Sequence, residues 1–193
     1  NEINVRISQF GAEFIKNFQG YMGDDPRVPE ITLQSFGYMY LADNEAFAGT
    51  LREAQKVQQT LGAGTRFMTA DEIKQDYPFY QLDDIVGANH NLIDEGYFDG
   101  NTIFDWWRRS AREKGAEYIT NEVVAMTMNR GGSAVETVTL KSGEVIAAGT
   151  VVNASGPRAV LTSRMLGIDL PIEPRKRYTF IFDAEQPLEQ DLP

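Results

Sequence analysis

Three strand-period segments in the second half of the chain, 116–128, 134–140 and 144–153, are separated by little more than Gly131-Gly132 and Ser142-Gly143. Connections this short leave no room for a crossover helix. The segments therefore pair antiparallel with their sequence neighbours, as a β-meander. Directly after them, Val151-Val152-Asn153 runs into Ala154-Ser155-Gly156-Pro157, an apolar strand ending in small residues and a proline suited to the first helical position. The helix is predicted to continue to Leu166 and stop at Gly167.

Upstream, helices and strands alternate. Residues 3 to 18 carry Val5, Phe10, Phe14, Ile15 and Phe18 on one side of a helix, and 20–29 is rich in Gly, Asp and Pro and reads as a loop. Phe36, Tyr38 and Tyr40 alternate as in a half-buried strand. Asn44 is the expected N-cap of a helix bearing Phe47, Leu51, Ala54, Val57 and Leu61, with Gly62 ending it. Thr69 and Glu72 form a capping box, and Pro78 closes that short helix. Residues 85 to 93 read as a strand, and Asp94-Glu95-Gly96 as a turn. Ile103, Trp106 and Ser110 share one face of a helix stopped by Gly115, and Tyr178, Phe180 and Phe182 alternate in a final strand over 177–182. The fold class is α/β in its broad α+β sense. The segment 96–167 has the order of half a nucleotide-binding domain, and the flanks 1–95 and 168–193 read as a separate layer that shares one sheet.

Composition narrows the chemistry. The 193 residues carry 18 basic and 28 acidic side chains, a net charge of −10 that disfavours nucleic acid and anionic membranes as partners. The chain has no cysteine, which removes disulfides, thiolate nucleophiles and zinc–thiolate sites, and it has one histidine, His90, so a multi-histidine metal site is excluded. No apolar run is long enough to span a membrane, and Asn1-Glu2-Ile3-Asn4 is no signal peptide. A cytoplasmic location is the expectation. The missing initiator Met and the abrupt end after a strand-like run suggest a piece of a longer protein.

Several candidate sites have plain structural readings. Gly62-Ala63-Gly64 starts like a dinucleotide fingerprint, but position 67 is Phe and the pair follows a helix, so a helix C-cap is adopted. Asp83, Asp84, His90, Asp94 and Glu95 fit no metal-binding spacing and read as an acidic rim. Asn153-Ala154-Ser155 matches a glycosylation sequon but ends an apolar strand, where burial is expected. Trp106 belongs to the core face of its helix, and Trp107 projects about 100° away, so the pair is no base-stacking platform. Two runs stay open. Residues 151–157 are either a plain strand-to-helix turn or a place where backbone approaches a ligand closely. Pro171-Ile172-Glu173-Pro174-Arg175-Lys176-Arg177-Tyr178 either leaves charges at a strand end or sets a cation to hold a carboxylate.

Four stretches together resemble the D-amino-acid oxidase-like family of FAD-dependent oxidoreductases, whose members include glycine oxidase, sarcosine oxidase and dimethylglycine dehydrogenase. Gly96-Tyr97-Phe98-Asp99 before a helix resembles one family entry run. Lys114-Gly115-Ala116 with Asn121-Glu122-Val123 resembles a strand pair, Val151 to Pro157 resembles an Asn-Ala-x-Gly-Pro segment, and Leu170 to Phe182 resembles a Leu-Pro … Pro-x-Arg strand. The likeness spans about 30–185. It lacks the family's opening Gly-x-Gly-x-x-Gly loop and closing Gly-rich segment, and Lys176 stands where many relatives carry Gly.

The resemblance implies a central fragment, with 1–95 and 168–193 as an incomplete substrate-binding domain of mixed sheet and helices, and 96–167 as the inner part of an FAD-binding domain carrying the meander. It implies oxidation of an amine or amino acid (a D-amino acid, glycine or an N-methyl amino acid) at a CH–NH or CH–NH2 group, by hydride transfer to flavin. Glu122, Val123, Ala154, Ser155 and Gly156 would meet the FAD. Tyr97, Arg175, Arg177 and Tyr178 would face the substrate. No catalytic residue is assigned. The fragment alone is expected to be inactive, to hold no tight flavin site and to self-associate through its truncated face. The alternative is a non-catalytic binding or assembly module on a flavoprotein-like fold; a hydrolase using paired carboxylates has no motif behind it.

Overall fold

A computed structural model describes residues 1–188, 190, 192 and 193. In chain order the elements are α1 (Glu2–Lys16), α2 (Phe18–Tyr21), β1 (Tyr38–Ala42), α3 (Glu45–Thr60), β2 (Arg66–Thr69), α4 (Ala70–Asp76), β3 (Gly87–Asn91), α5 (Gly100–Glu113), β4 (Val123–Met128), β5 (Val135–Leu140), β6 (Val145–Ala147), a 3₁₀ turn (Gly156–Arg158) and α6 (Ala159–Arg164). They pack as two compact units, Asn1–Gly115 with Gln186–Pro193, and Ala116–Glu185.

In the first unit β3 is the central strand of an antiparallel sheet ordered β1-β3-β2. It pairs Tyr38 to Asn91 and Ala42 to Gly87 on one side, and Arg66 to His90 and Thr69 to Gly87 on the other. Each sheet face has its own cover. Ala42 packs on Ala48 and Leu51 of α3, with Phe67 and Val86 at the border. On the other face Met68 and Ala88 pack on Ile73 and Tyr77 of α4 and its exit, with Met39, Phe79 and Ile85 around them. Gly87 lets this happen, because a Cβ there would lie 2.5 Å from the Phe67 ring and 2.6 Å from the Met68 carbonyl oxygen. A third cluster joins Phe18 and Val28 to Ile103 and Trp106, so the apolar face of α5 lies on the α1–α2 corner.

The local signals act as read. The Asn44 side chain accepts from the Phe47 amide at 2.9 Å and caps α3, and Gly62 follows its end at a φ of +75°. Thr69 and Glu72 close a complete capping box on α4. Gly62-Ala63-Gly64 is therefore a helix exit and not a phosphate loop. Gly96 fits where nothing else can, since a Cβ there would strike the Gln34 carbonyl, the partner of the Tyr97 amide at 3.0 Å. Among the described residues no group of three or more His, Asp or Glu is placed to hold a metal, and no helix is long and apolar enough to cross a membrane.

The second unit is the expected meander, with antiparallel order β4-β5-β6. Its strands are shorter than their sequence period. β5 has six residues and pairs with only three of β6; beyond the bonds of Lys141 to the Glu122 carbonyl and of Ala148 to the Glu136 carbonyl, 116–121 and 149–153 join no strand among the described residues. Val152 is accordingly 82% exposed, not buried. Three further expectations are corrected for related reasons. Tyr38 and Tyr40 share a face with Ala42 but lie beyond the α3 cluster, so both are exposed, with their rings 4.8 Å apart. Residues 177–182 form no strand, because no described strand runs beside them. For the same reason none of the described residues of 168–193 joins the sheet of the first unit.

His90 is buried at 2% exposure, edge-on to the Tyr77 ring, with its Nε2 3.2 Å from the Tyr77 hydroxyl. Burial first, and then the charge of Arg66, push its pKa below the usual 6.5, against a smaller opposing effect of Asp76. The unfolded chain thus takes up this proton at a higher pH than the folded one. Stability is full above 6.5 and falls as pH drops from there toward the lowered value. Urea unfolding of the wild type is expected to show that loss, and His90→Gln to flatten it over this interval.

Candidate functional site

The second unit carries one cleft built from several of the residues singled out above. Its volume is about 260 Å³, and Glu122, Val123 and Ser155 line it together with Met126, Val138, Val151, Leu161 and Met165. Strand geometry explains the wall. Val123 opposes Leu140 and Met126 opposes Val138 across β4 and β5, with a register shift between Val123 and Ala125. α6 supplies Leu161 on the facing side. Sequence reasoning missed Met126, Val138, Leu161 and Met165, since apolar residues in a strand or helix carry no chemical signature. Their alternation was the only available signal.

Polar groups sit at the rim. Glu122 lies 3.4 Å from Lys141 and 3.7 Å from Arg158 in exposed pairs, and its amide N–H donates to the Asn121 Oδ1 at 2.9 Å. The Ser155 and Thr162 hydroxyls are 2.9 Å apart. Ala154 and Gly156 are exposed, and Gly156 has a φ of +55° with nothing within 4 Å of where a Cβ would stand. The backbone there is open to a close neighbour. The helix predicted from Pro157 is a three-residue 3₁₀ turn followed by a six-residue helix, too short to gather a helix-end charge.

Asn153 is exposed, which overturns the burial used to set aside its sequon. Its side-chain amide is nevertheless engaged, with Nδ2 donating to the Ala159 carbonyl and the Ser163 hydroxyl at 2.9 Å each. It ties the end of the extended run to α6.

The remaining candidates are not gathered by this cleft. Arg175 pairs with Glu173 at 3.0 Å, and Arg177 donates to the Lys176 carbonyl. Tyr178 stacks on Phe180 at 6.3 Å with Lys176 over its ring. All three candidates are exposed on an extended segment. Tyr97 belongs to the first unit, where it borders a hollow of about 170 Å³ with Ile31, Gln34 and Phe98. Asp99, in the same run, is spent as the cap of α5. It accepts from the Asn101 amide and the Thr102 hydroxyl, and these bonds, the hydroxyl's first, hold its carboxyl below the usual range.

The cleft walls suit a flat aromatic group. Apolar side chains from two strands and a helix border a hollow with room for a purine, and the rim carries both signs of charge. This fits the adenine end of a dinucleotide. The described part of the unit shows no glycine loop to cradle its phosphates.

Comparisons with known proteins agree with the motif reading. A family described as FAD dependent oxidoreductase matches residues 6–193. The FAD-dependent oxidoreductase domain-containing protein 1 of Xenopus laevis is 27% identical over 207 residues, which covers 92% of this chain and 41% of the relative. This chain thus spans about two fifths of that relative's length. The crystal structure of L-proline dehydrogenase from P. horikoshii superposes with a TM-score of 0.69 at 24% identity, over 87% of this chain and 42% of that one. Glycine oxidase from Bacillus cereus ATCC 14579 does so with a TM-score of 0.59 at 20% identity, over 81% and 42%. The chain belongs to the FAD-dependent oxidoreductase family.

Replacing Asn153 by Ala is expected to speed amide exchange across 159–164 while β5 keeps its protection. Exchange mass spectrometry checks both.

Proposed function

We propose that this member of the FAD-dependent oxidoreductase family is the inner part of an enzyme that oxidises an amine or amino acid at a CH–NH or CH–NH2 group. One observation carries the reading: an apolar, purine-sized cleft on the meander, bordered by Glu122, Val123 and Ser155, the positions that the family resemblance assigns to the cofactor. FAD, when bound, supplies a hydride acceptor, so the protein needs to position and polarise without providing a nucleophile. A chain with no cysteine and one buried, neutral histidine is suited to that division of labour.

Each group then has a task. Val123 and Val138 form the floor against a flat ring, and Glu122 and its backbone define the edge. Ala154, Ser155 and Gly156 let a cofactor pass close to the main chain. Arg175 and Arg177 are the groups suited to a substrate carboxylate, which a guanidinium holds with two parallel hydrogen bonds. Tyr97 and Tyr178 would border the same substrate. In the full-length protein, 96–167 contributes to the FAD domain, and 1–95 with 168–193 to the substrate domain. A small amine or amino acid fits the names of the structural neighbours, which include L-proline dehydrogenase and glycine oxidase.

The exposure of Arg175 and Arg177 favours one other reading, a binding or assembly module that keeps the flavoprotein fold without the chemistry. A single experiment separates the two. The full-length parent is expected to purify with the visible absorption of a bound flavin and to bleach when a cyclic or N-methyl amino acid is added without air. Val138→Trp in that parent should weaken FAD by about tenfold or more by filling the cleft. Bound flavin that no amine reduces would favour the module, and a parent without flavin would overturn the cofactor assignment.

A further inference from the structure

The first unit holds a hollow of about 290 Å³, near the lower end of the range for small-molecule sites. One wall is α1, through Val5, Ser8 and Ala12. α3 and its exit supply Gln58 and residues 62–65, and the chain leaving β3 supplies Asn91 and residues 93–95. Asn91 shares its strand face with Asn89, which bonds the Leu51 carbonyl, so the hollow lies on the α3 side of the sheet. Gln190 of the chain's last residues donates instead to the Asp76 carbonyl, at the end of α4 on the opposite face.

The walls are pinned to one another. Gln9 of α1 donates to the Leu61 carbonyl at 2.9 Å, and Lys16 pairs with Asp94 at 2.7 Å. The Asn91 side chain bonds both the amide and the carbonyl of Ile93 at 3.1 Å, and the Glu95 carbonyl accepts from the Gly37 amide at 2.9 Å. Gly64 closes one side, since a Cβ there would strike the Ile93 side chain and lie 3.1 Å from the Asn91 Oδ1. A hollow held in this way loses little conformational freedom when a ligand enters.

Its polar groups lack donors. Thr65 is 7% exposed, and its hydroxyl makes no hydrogen bond among the described residues. Gln58 Oε1 is buried without a partner, its amide nitrogen makes no bond among the described residues either, and a half-turn of the amide exchanges the two. Glu95 is half-buried, and its carboxylate has no ion-pair partner among the described residues. No Lys or Arg lines the hollow. Unmatched groups of this kind cost free energy that a bound donor recovers.

We propose that this hollow binds a small organic cation with an alkyl stem, an alkylammonium or alkylguanidinium. Glu95 and Asp94 draw the charged head. Its N–H groups donate to the Thr65 hydroxyl and the Gln58 oxygen, and the stem lies on Val5 and Ala12. A bare metal ion fits less well, because no three acidic or histidine side chains gather to hold one among the described residues. An anion would meet two carboxylates and no lining cation. This inference concerns the first unit with no cofactor bound, so it stands or falls separately from the oxidation reading.

Titrating butylammonium chloride into the isotope-labelled chain, against sodium chloride at equal ionic strength, tests it. Saturable amide shifts are expected at Gln58, 62–65, Asn91 and 94–95. Butanol and butyrate, the neutral and anionic counterparts, should bind at least about fivefold more weakly. Glu95→Gln should weaken butylammonium by about fivefold while the resonances of β1, β2 and β3 stay in place. Ser8→Lys, at an exposed position on the α1 wall, brings a tethered ammonium within reach of the hollow and should abolish the titration without lowering the melting temperature. The absence of saturable shifts, shifts that sodium chloride reproduces, or equal affinity for butanol would overturn the inference. So would binding that both substitutions leave intact.

Discussion

The first unit depends on β3 being paired along both sides at once. Gly87 leaves room for the Phe67 ring and the Met68 carbonyl of β2, and Ala88 packs against Met68, Ile73 and Tyr77 on the α4 side. The next two residues are polar and buried, which costs free energy unless each finds a partner. Asn89 donates to the Leu51 carbonyl at 2.7 Å and His90 meets the Tyr77 hydroxyl. Each bond ties the strand to a different layer. Removing either side chain would loosen a helix from the sheet as well as a strand from its neighbours. Asn89 Oδ1 is the unmatched remainder, buried with no donor among the described residues.

The second unit has a different economy of contacts. Leu140 is its one buried hydrophobic residue among those described, whereas three clusters support the first unit. A meander of short strands with one helix covers little apolar surface, and Val124, Val145, Val152 and Leu161 remain exposed. The chain spans about two fifths of the length of the Xenopus laevis relative. On the proposed reading the cleft is a wall and a floor for one end of a cofactor, and the described residues show no glycine loop to hold the phosphates.

Local chemistry was legible in the sequence because it is local. Asn44, the Thr69–Glu72 box, Gly62 and Gly115 mark helix ends through bonds made within a few residues. The core face of α5 followed from spacing alone, with Ile103 and Trp106 buried. Strand lengths were not legible, since a strand exists only where a partner runs beside it. Val151-Val152 and 177–182 have strand composition and no ladder. Tyr38 and Tyr40 alternate as a half-buried strand would, yet the cluster that buries Ala42 against α3 does not include them. The cleft was half visible. Glu122, Val123 and Ser155 stood out through the family resemblance, whereas Met126 and Val138 became site residues only when the register of β4 on β5 placed them.

The meander cleft is the proposed place for the adenine end of the cofactor. Titrating ADP into the isotope-labelled chain and following backbone amide resonances tests this directly. Weak, saturable shifts centred on Glu122, Val123, Val138 and Ser155 are expected, with the first unit unmoved. Shifts centred on Gly62-Ala63-Gly64, or none on the meander at any nucleotide concentration, would contradict it.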